Sequence, residues 1–171
     1  MLEKSLNENL TLYSSKLFPS FSKDSFKRYC VTLGVGGNIG DLPRRLEKLS
    51  CFFKRSPLCD VVQTGPILKN PPFGYCEQDD FYNTVILIKT NLRPRAFLKY
   101  VLEVERKFGR KRSFSNAPRT LDIDMIFYEN VKMKSTKLTL PHPDWMNRKS
   151  VIIPMAYMEH LKNFFYVQTY V

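Results

Sequence analysis

The sequence predicts an α+β sandwich, a mainly antiparallel sheet flanked by helices, on three observations. Strand-like segments with period-two alternation are interspersed with segments whose apolar residues repeat at helical spacing. Two strand-like segments, 59–64 and 81–90, follow each other with no helix between them, which permits antiparallel pairing. The length of 171 residues suits one domain and is marginal for two.

The elements follow in order. Residues 1–28 are polar, with Leu10, Leu12, Leu17, Phe18, Phe21 and Phe26 recurring irregularly around Pro19. They read as an N-terminal extension, packed on the domain or partly mobile, ahead of a single domain over 29–171. Tyr29 to Gly34 alternates as a strand, and Gly34 to Asp41 reads as a turn. Asp41 caps a helix with Pro43 in its first turn and Leu42, Leu46, Leu49 and Phe53 at helical spacing. Cys59 to Thr64 is a short strand. Gly65 to Asp80, with three prolines, is a long loop of the kind that is usually functional. Phe81 to Thr90 is the clearest strand. Pro94 opens a helix with Phe97, Leu98, Val101, Leu102 and Phe108 on one stripe, closed by Gly109. A basic loop runs to Pro118. Strands at 120–128 and 137–140 and a helix after Asn147 complete the chain. This order matches a split β-α-β, ferredoxin-like sandwich rather than a series of βαβ units.

With 43% hydrophobic and 25% charged residues, the chain is neither disordered nor fibrous. Its longest aliphatic run is Val85 to Ile88, far short of the roughly 20 residues of a membrane span. The N-terminus lacks an apolar signal core, so a cytoplasmic protein without membrane contact is expected. Cysteines at 30, 51, 59 and 76 form no Cys-x-x-Cys pair, which argues for free thiols and against structural zinc. A net charge of +11 favours an anionic partner.

Where the charge falls narrows the choice. On the strand Leu121 to Phe127, Leu121, Ile123, Met125 and Phe127 share the face expected to be core, and Asp122 and Asp124 share the other. Neighbouring carboxylates repel, and divalent cations with oxygen ligands resolve that conflict. A solvated polar face is the alternative. Arg106, Lys107, Arg110, Lys111, Arg112 and Arg119 precede these acids within fourteen positions. Metal-binding acids beside several guanidinium groups suit a polyphosphate. The glycines at 34, 36 and 37 complete neither a dinucleotide fingerprint nor a Walker loop. Asn83 shares a face with Val85 and Leu87, and its donor and acceptor suit the edge of a heterocycle. Pro141 and Pro143 hold His142 in a stiff segment, six residues before Arg148.

Taken together, Gly109-Arg110-Lys111-Arg112, Ala117-Pro118-Arg119-Thr120-Leu121-Asp122-Ile123-Asp124, Gly36-Gly37-Asn38-Ile39-Gly40-Asp41, Phe81-Tyr82-Asn83 and Leu138-Thr139-Leu140-Pro141-His142-Pro143 resemble the 6-hydroxymethyl-7,8-dihydropterin pyrophosphokinase family, over roughly Cys30 to Met158. The resemblance implies a ferredoxin-like α+β fold and transfer of pyrophosphate from ATP to the hydroxymethyl group of a reduced pterin, in folate biosynthesis. It implies two Mg2+ ions on Asp122 and Asp124, and phosphate contacts from the catalytic arginines Arg110, Arg112 and Arg119 and from His142 and Arg148. It further implies that Glu105, Lys137 and Thr139 help hold ATP, that Met125 offers backbone groups to adenine, and that Thr64, Phe81 and Asn83 form the pterin pocket. The chain departs from the family at Ser150, where an aromatic is common, which leaves Phe73 or Trp145 as the second wall of that pocket. A ferredoxin-like sheet can also bind RNA. This chain lacks the aromatic RNA-binding motif, and Asp122 and Asp124 would repel a phosphate backbone, so no nucleic-acid partner is expected.

Overall fold

A computed structural model describes residues 1–22, 25–72, 74, 77–110 and 117–159. The order is β1 (Leu2–Asn7), β2 (Leu10–Ser14), β3 (Ser20–Phe21), β4 (Tyr29–Gly37), α1 (Leu42–Arg55), β5 (Cys59–Thr64), β6 (Ile67–Asn70), β7 (Phe81–Thr90), α2 (Pro94–Lys107), β8 (Asp122–Tyr128), β9 (Met133–Lys134), β10 (Thr139–Leu140), a 3-10 turn (Trp145–Asn147) and α3 (Lys149–Ala156). The main sheet runs β1-β2-β6-β7-β4-β8. Strand β5 lies along the same edge of β7 as β6: β6 pairs with residues 81–83 and β5 with residues 86–90. Strand β3 pairs with β5, and every pairing in the sheet is antiparallel. This is the expected α+β sandwich, including the pairing of 59–64 with 81–90.

Period-two alternation sorts the two faces. Val31, Leu33 and Val35 of β4 and Ile86 and Ile88 of β7 pack with Leu46, Leu49, Phe53, Phe97 and Val101 of α1 and α2. The opposite residues, Val85 and Leu87, pack with Val151 and Met155 of α3. Helix α1 begins at the expected cap: the Asp41 carboxylate accepts from the Arg44 amide at 3.1 Å. Gly109, at φ +82°, ends α2 as its position suggests.

Three expectations change, and the extension carries strands of its own. The glycine segment is the last part of β4, held by ladders to β7 and β8 on both sides, and the turn begins only after Gly37. The presumed loop 65–80 contains β6, because the edge of β7 is long enough to pair two segments in succession. The extension contributes β1, β2 and β3, with Phe18 fully buried. Phe127 sits on the α3 side, against Trp145, rather than with Ile123 and Met125. A bulge between Leu33↔Met125 and Thr32↔Phe127 inserts Ile126 and reverses the alternation.

The bend between β5 and β6 lies close against α3. A Cβ on Gly65 would stand 2.8 Å from the Pro154 carbonyl oxygen. Gly65→Ala should therefore push α3 outward and lower stability by about 1–3 kcal/mol, the usual cost of overpacking. A shift of the urea midpoint checks this, and an unchanged midpoint would show that α3 yields freely.

Candidate active site

The site is a row across the sheet on the α3 face. Gly36 of β4 is registered with Asp122 of β8 on one side and Asn83 of β7 on the other, and Asn83 is registered with Leu68 of β6. Paired residues of antiparallel strands point the same way. Asp122 and Asn83 thus project from the same face, about 10 Å apart at two strand spacings, over a residue with no side chain. A Cβ on Gly36 would fall 1.9 Å from Asn83 Oδ1, so only glycine leaves room for that carboxamide. Asn83 donates from Nδ2 to Asn70 Oδ1 at 2.7 Å, and Asn70 donates onward to the Pro71 carbonyl at 2.8 Å.

Arginines from three segments meet the two acids. Asp122 pairs with Arg110, at the end of α2, and with Arg119 Nη1 at 2.6 Å. Asp124 pairs with Arg148 Nη1, at the start of α3, at 2.5 Å. Burial works against the charge on Asp122, but Arg110 and Arg119 outweigh it and hold the carboxyl below the ordinary aspartate range. Burial likewise opposes the charge on Arg110, and Asp122 and Glu105 reverse that effect and raise its pKa. Glu105 is nearly inaccessible. Its Oε1 accepts from the Ile123 amide at 2.7 Å and pairs with Arg110, and burial pushes its pKa up to about 7. His142 is depressed by burial and then by Arg148, against the pull of Asp124. Its Nδ1 accepts from the Asp144 amide at 3.2 Å.

A cavity of about 1250 Å³ lies over this row, and Glu105, Arg110 and His142 do not line it. Arg119, Asp122, Asp124 and Arg148 line one end, and Phe81, Asn83, Asn70 and Pro71 line the part over β7 and β6. Arg119 spans both, with its guanidinium 5.6 Å from the centre of the Phe81 ring. The donor set fits magnesium: two hard carboxylates on one strand face. Among the described residues no cluster of three His, Cys, Asp or Glu side chains forms a protein cage, so phosphate oxygens and water would complete the shell.

The remaining expected residues lie elsewhere. The Thr64 side chain is fully buried, donating to the Leu17 carbonyl at 2.6 Å and accepting from the Ser20 amide at 2.8 Å. Met125 faces the α1–α2 core. Thr139 pairs with Lys134 in the β9–β10 ribbon, with Lys137 exposed just before it; neither lines the cavity. Glu105 reaches the site only through Arg110. Trp145 packs edge-on against Phe127, 4.8 Å between ring centres, and does not line the cavity. Arg112 and Phe73 lie outside the described residues.

Sequence reasoning assigned no role to Asn38. It is buried, its Oδ1 accepts from the Arg119 amide at 2.9 Å, and its Nδ2 donates to Gln78 and to the Asp79 carbonyl. Asn38 thereby fixes the backbone that carries Arg119. Its place in the Gly36–Asp41 motif was the available signal. Asn70 gave none, because its importance arises from the pairing of β6, a strand that the prolines obscured, with β7.

Residues 32–160 match the family model for 7,8-dihydro-6-hydroxymethylpterin-pyrophosphokinase. The chain is 41% identical to the 2-amino-4-hydroxy-6-hydroxymethyldihydropteridine pyrophosphokinase of Helicobacter pylori over 155 residues, covering 88% of this chain and 94% of the relative. It is 41% identical over 144 residues to the Campylobacter jejuni enzyme of the same name, covering 83% and 91%. It is 35% identical over 124 residues to that of Methylorubrum extorquens, covering 72% and 78%. An acid pair met by arginines, an amide-lined recess beside it and these matches lead to one conclusion: the chain belongs to the 7,8-dihydro-6-hydroxymethylpterin-pyrophosphokinase family.

Proposed function

We propose that the cavity is the catalytic cleft, with the polyphosphate of ATP at its β8 end and the pterin over β7 and β6. The reaction is that of the family: an ATP-dependent transfer of pyrophosphate to the hydroxymethyl group of 6-hydroxymethyl-7,8-dihydropterin, in folate biosynthesis. The row Asp122–Gly36–Asn83 carries the assignment. It sets a charged group and an amide on either side of a bare strand, at a separation that leaves space for the hydroxymethyl group and the β-phosphorus between them.

Asp122 and Asp124 would hold magnesium, two ions in our reading. Bound there, the metal supplies charge neutralisation on the polyphosphate and lowers the pKa of a bound hydroxyl. Arg110 and Arg119 now neutralise Asp122, and Arg148 neutralises Asp124. The carboxylates Asp122 and Asp124 would hold the cation, and Arg110, Arg119 and Arg148, which now pair with them, would be free to hold phosphate oxygens. Charge balance holds throughout, and forked guanidinium groups suit both partners. Arg112 joins them by its place in the motif. His142, its pKa lowered, serves as a neutral hydrogen-bonding group beside Arg148. Glu105 positions Arg110 rather than touching ATP. Asn38 holds Arg119 in register. Lys137, Thr139 and the backbone of Met125 remain our assignment for the nucleoside side, and Thr64 for the pterin side through its backbone.

The substrates account for the basic charge without nucleic acid. Among the described residues no helix is long and apolar enough to cross a membrane. A cytoplasmic location is part of the proposal, supported by the free thiols of Cys51 and Cys59.

Asp122→Ala and Asp124→Ala should each lower turnover by about 10²–10³ at saturating magnesium, the scale of one lost electrostatic contact to the transition state. Near-normal turnover in either variant would refute the metal assignment.

Asn83→Ala should weaken pterin binding and leave binding of a non-hydrolysable ATP analogue unchanged. Gly36→Ala should reproduce that split, because its methyl group would displace the Asn83 carboxamide. Calorimetric titration of each ligand checks both variants. A Gly36→Ala protein with native pterin affinity would show that Asn83 is not the contact.

A further inference from the structure

The cleft has a wall that the family resemblance did not supply. Strands β1 and β2 close on the turn Glu8-Asn9, and Asn7, Glu8, Asn9 and Leu10 line the cavity beside Asn70 and Pro71. The turn is braced by its own residues. The Asn9 amide donates to Asn7 Oδ1 at 2.9 Å, and Ser5 Oγ donates to the Asn7 carbonyl at 3.1 Å.

Register explains how it reaches the site. Strand β2 pairs with β6 through Thr11↔Lys69, so the next step toward the turn sets Leu10 at the level of Asn70, the residue that receives the Asn83 hydrogen bond. Leu10 is only 8% exposed, clustered with Leu12 and Leu68 and with Ile153 of α3 packed against them. The hairpin thus extends the sheet beyond β6, with Leu10 and Leu12 against Ile153 of α3, and its turn lines the same cavity as Ser150.

Charge divides the cleft. The cations that line it, Arg119, Arg148 and Lys149, belong to the segment before β8 and to the start of α3. Of the lining residues contributed by the hairpin, β6, β7 and the two prolines after β6, only Glu8 is charged. A carboxylate with amides and apolar surface around it suits a neutral heterocycle and disfavours a polyphosphate.

We propose that the turn Asn7–Leu10 is a specificity wall of the acceptor site: Leu10 and the neighbouring amides bound the pterin, and Glu8 repels nucleotide phosphates from that end. The inference rests on the placement of the pterin at Asn83. Residues 1–14 are then part of the enzyme's substrate site rather than an appendage to it.

The test titrates the full-length protein with 6-hydroxymethyl-7,8-dihydropterin and with a magnesium-bound, non-hydrolysable ATP analogue. Leu10→Ala should weaken pterin binding about fivefold, in the range expected for lost apolar contact, with affinity for the analogue within about twofold of the parent. Because Leu10→Ala loosens packing, the exposed turn variant Glu8→Lys provides the second measurement. It should make excess analogue compete with the pterin, with no such competition in the parent protein. Pterin should also slow hydrogen exchange at amides 7–10 of the parent. If Asn83→Ala weakens pterin binding while both hairpin variants bind both ligands as the parent does, without competition, the wall is refuted and the cleft assignment stands. If Asn83→Ala has no effect either, both fall.

Discussion

Asp122 and Asp124 project from one face of one strand, and two carboxylates that close in a sheltered cleft repel each other and lose hydration. Cations brought to them relieve that repulsion, and the fold delivers three. Arg110 comes from the end of α2, Arg119 from the segment leading into β8, and Arg148 from the start of α3. These three segments fall between residues 110 and 148, and the acid pair is the point on which they converge. Glu105 extends the arrangement inward, tying Arg110 to the β8 backbone through the Ile123 amide. A partly buried ionic cluster of this kind contributes little net stability. Its value is a set of oppositely charged groups already in place, which a magnesium nucleotide can enter without creating new uncompensated charge.

Beside this cluster, β4 contributes absence. Gly34 and Gly36 lie at the levels of Asp124 and Asp122, on the face toward α3. Any side chain at 36 would occupy the position of the Asn83 carboxamide. Strand glycines normally weaken a sheet, and here ladders to β7 and β8 on both sides offset the loss. The cavity floor is backbone, flanked by an acid and an amide, and the distance between the two half-sites is set by strand spacing rather than by flexible side chains. Asn38, immediately beyond, returns the favour by hydrogen-bonding the Arg119 backbone and so fixing the charged side of the floor.

The far side of the cleft depends on the sheet continuing past β7. Strand β6 pairs with the first residues of β7, β2 pairs with β6, and the β1–β2 turn arrives above Asn70. Without this continuation Asn83 would stand at an open edge with its amide hydrated. With it, Asn83 donates to Asn70 and is held at one orientation. An amide held in this way can discriminate between ligands more strongly than one free to rotate.

Local chemistry was legible in the sequence. Helices α1 and α2 and strand β7 announced themselves because apolar period, a capping Asp41 and the closing Gly109 act over a few residues. The acid pair and its arginines were legible for the same reason, since they are close in the chain and their charges demand each other. What tertiary structure alone decided was everything that depends on which strand lies beside which. Glycine content suggested a turn where double pairing made strand, and proline content hid β6. An inserted residue moved Phe127 to the other face. The Thr64 hydroxyl, free to bind a ligand on paper, was consumed by Leu17 and Ser20; the Asn7–Leu10 turn became cavity wall through the register of β2 with β6, more than fifty residues away, and Asn70 through that of β6 with β7. Periodicity records which face a residue takes within its own element. It carries no information about the neighbouring strand, because register is settled by the summed packing and hydrogen bonding of the whole sheet.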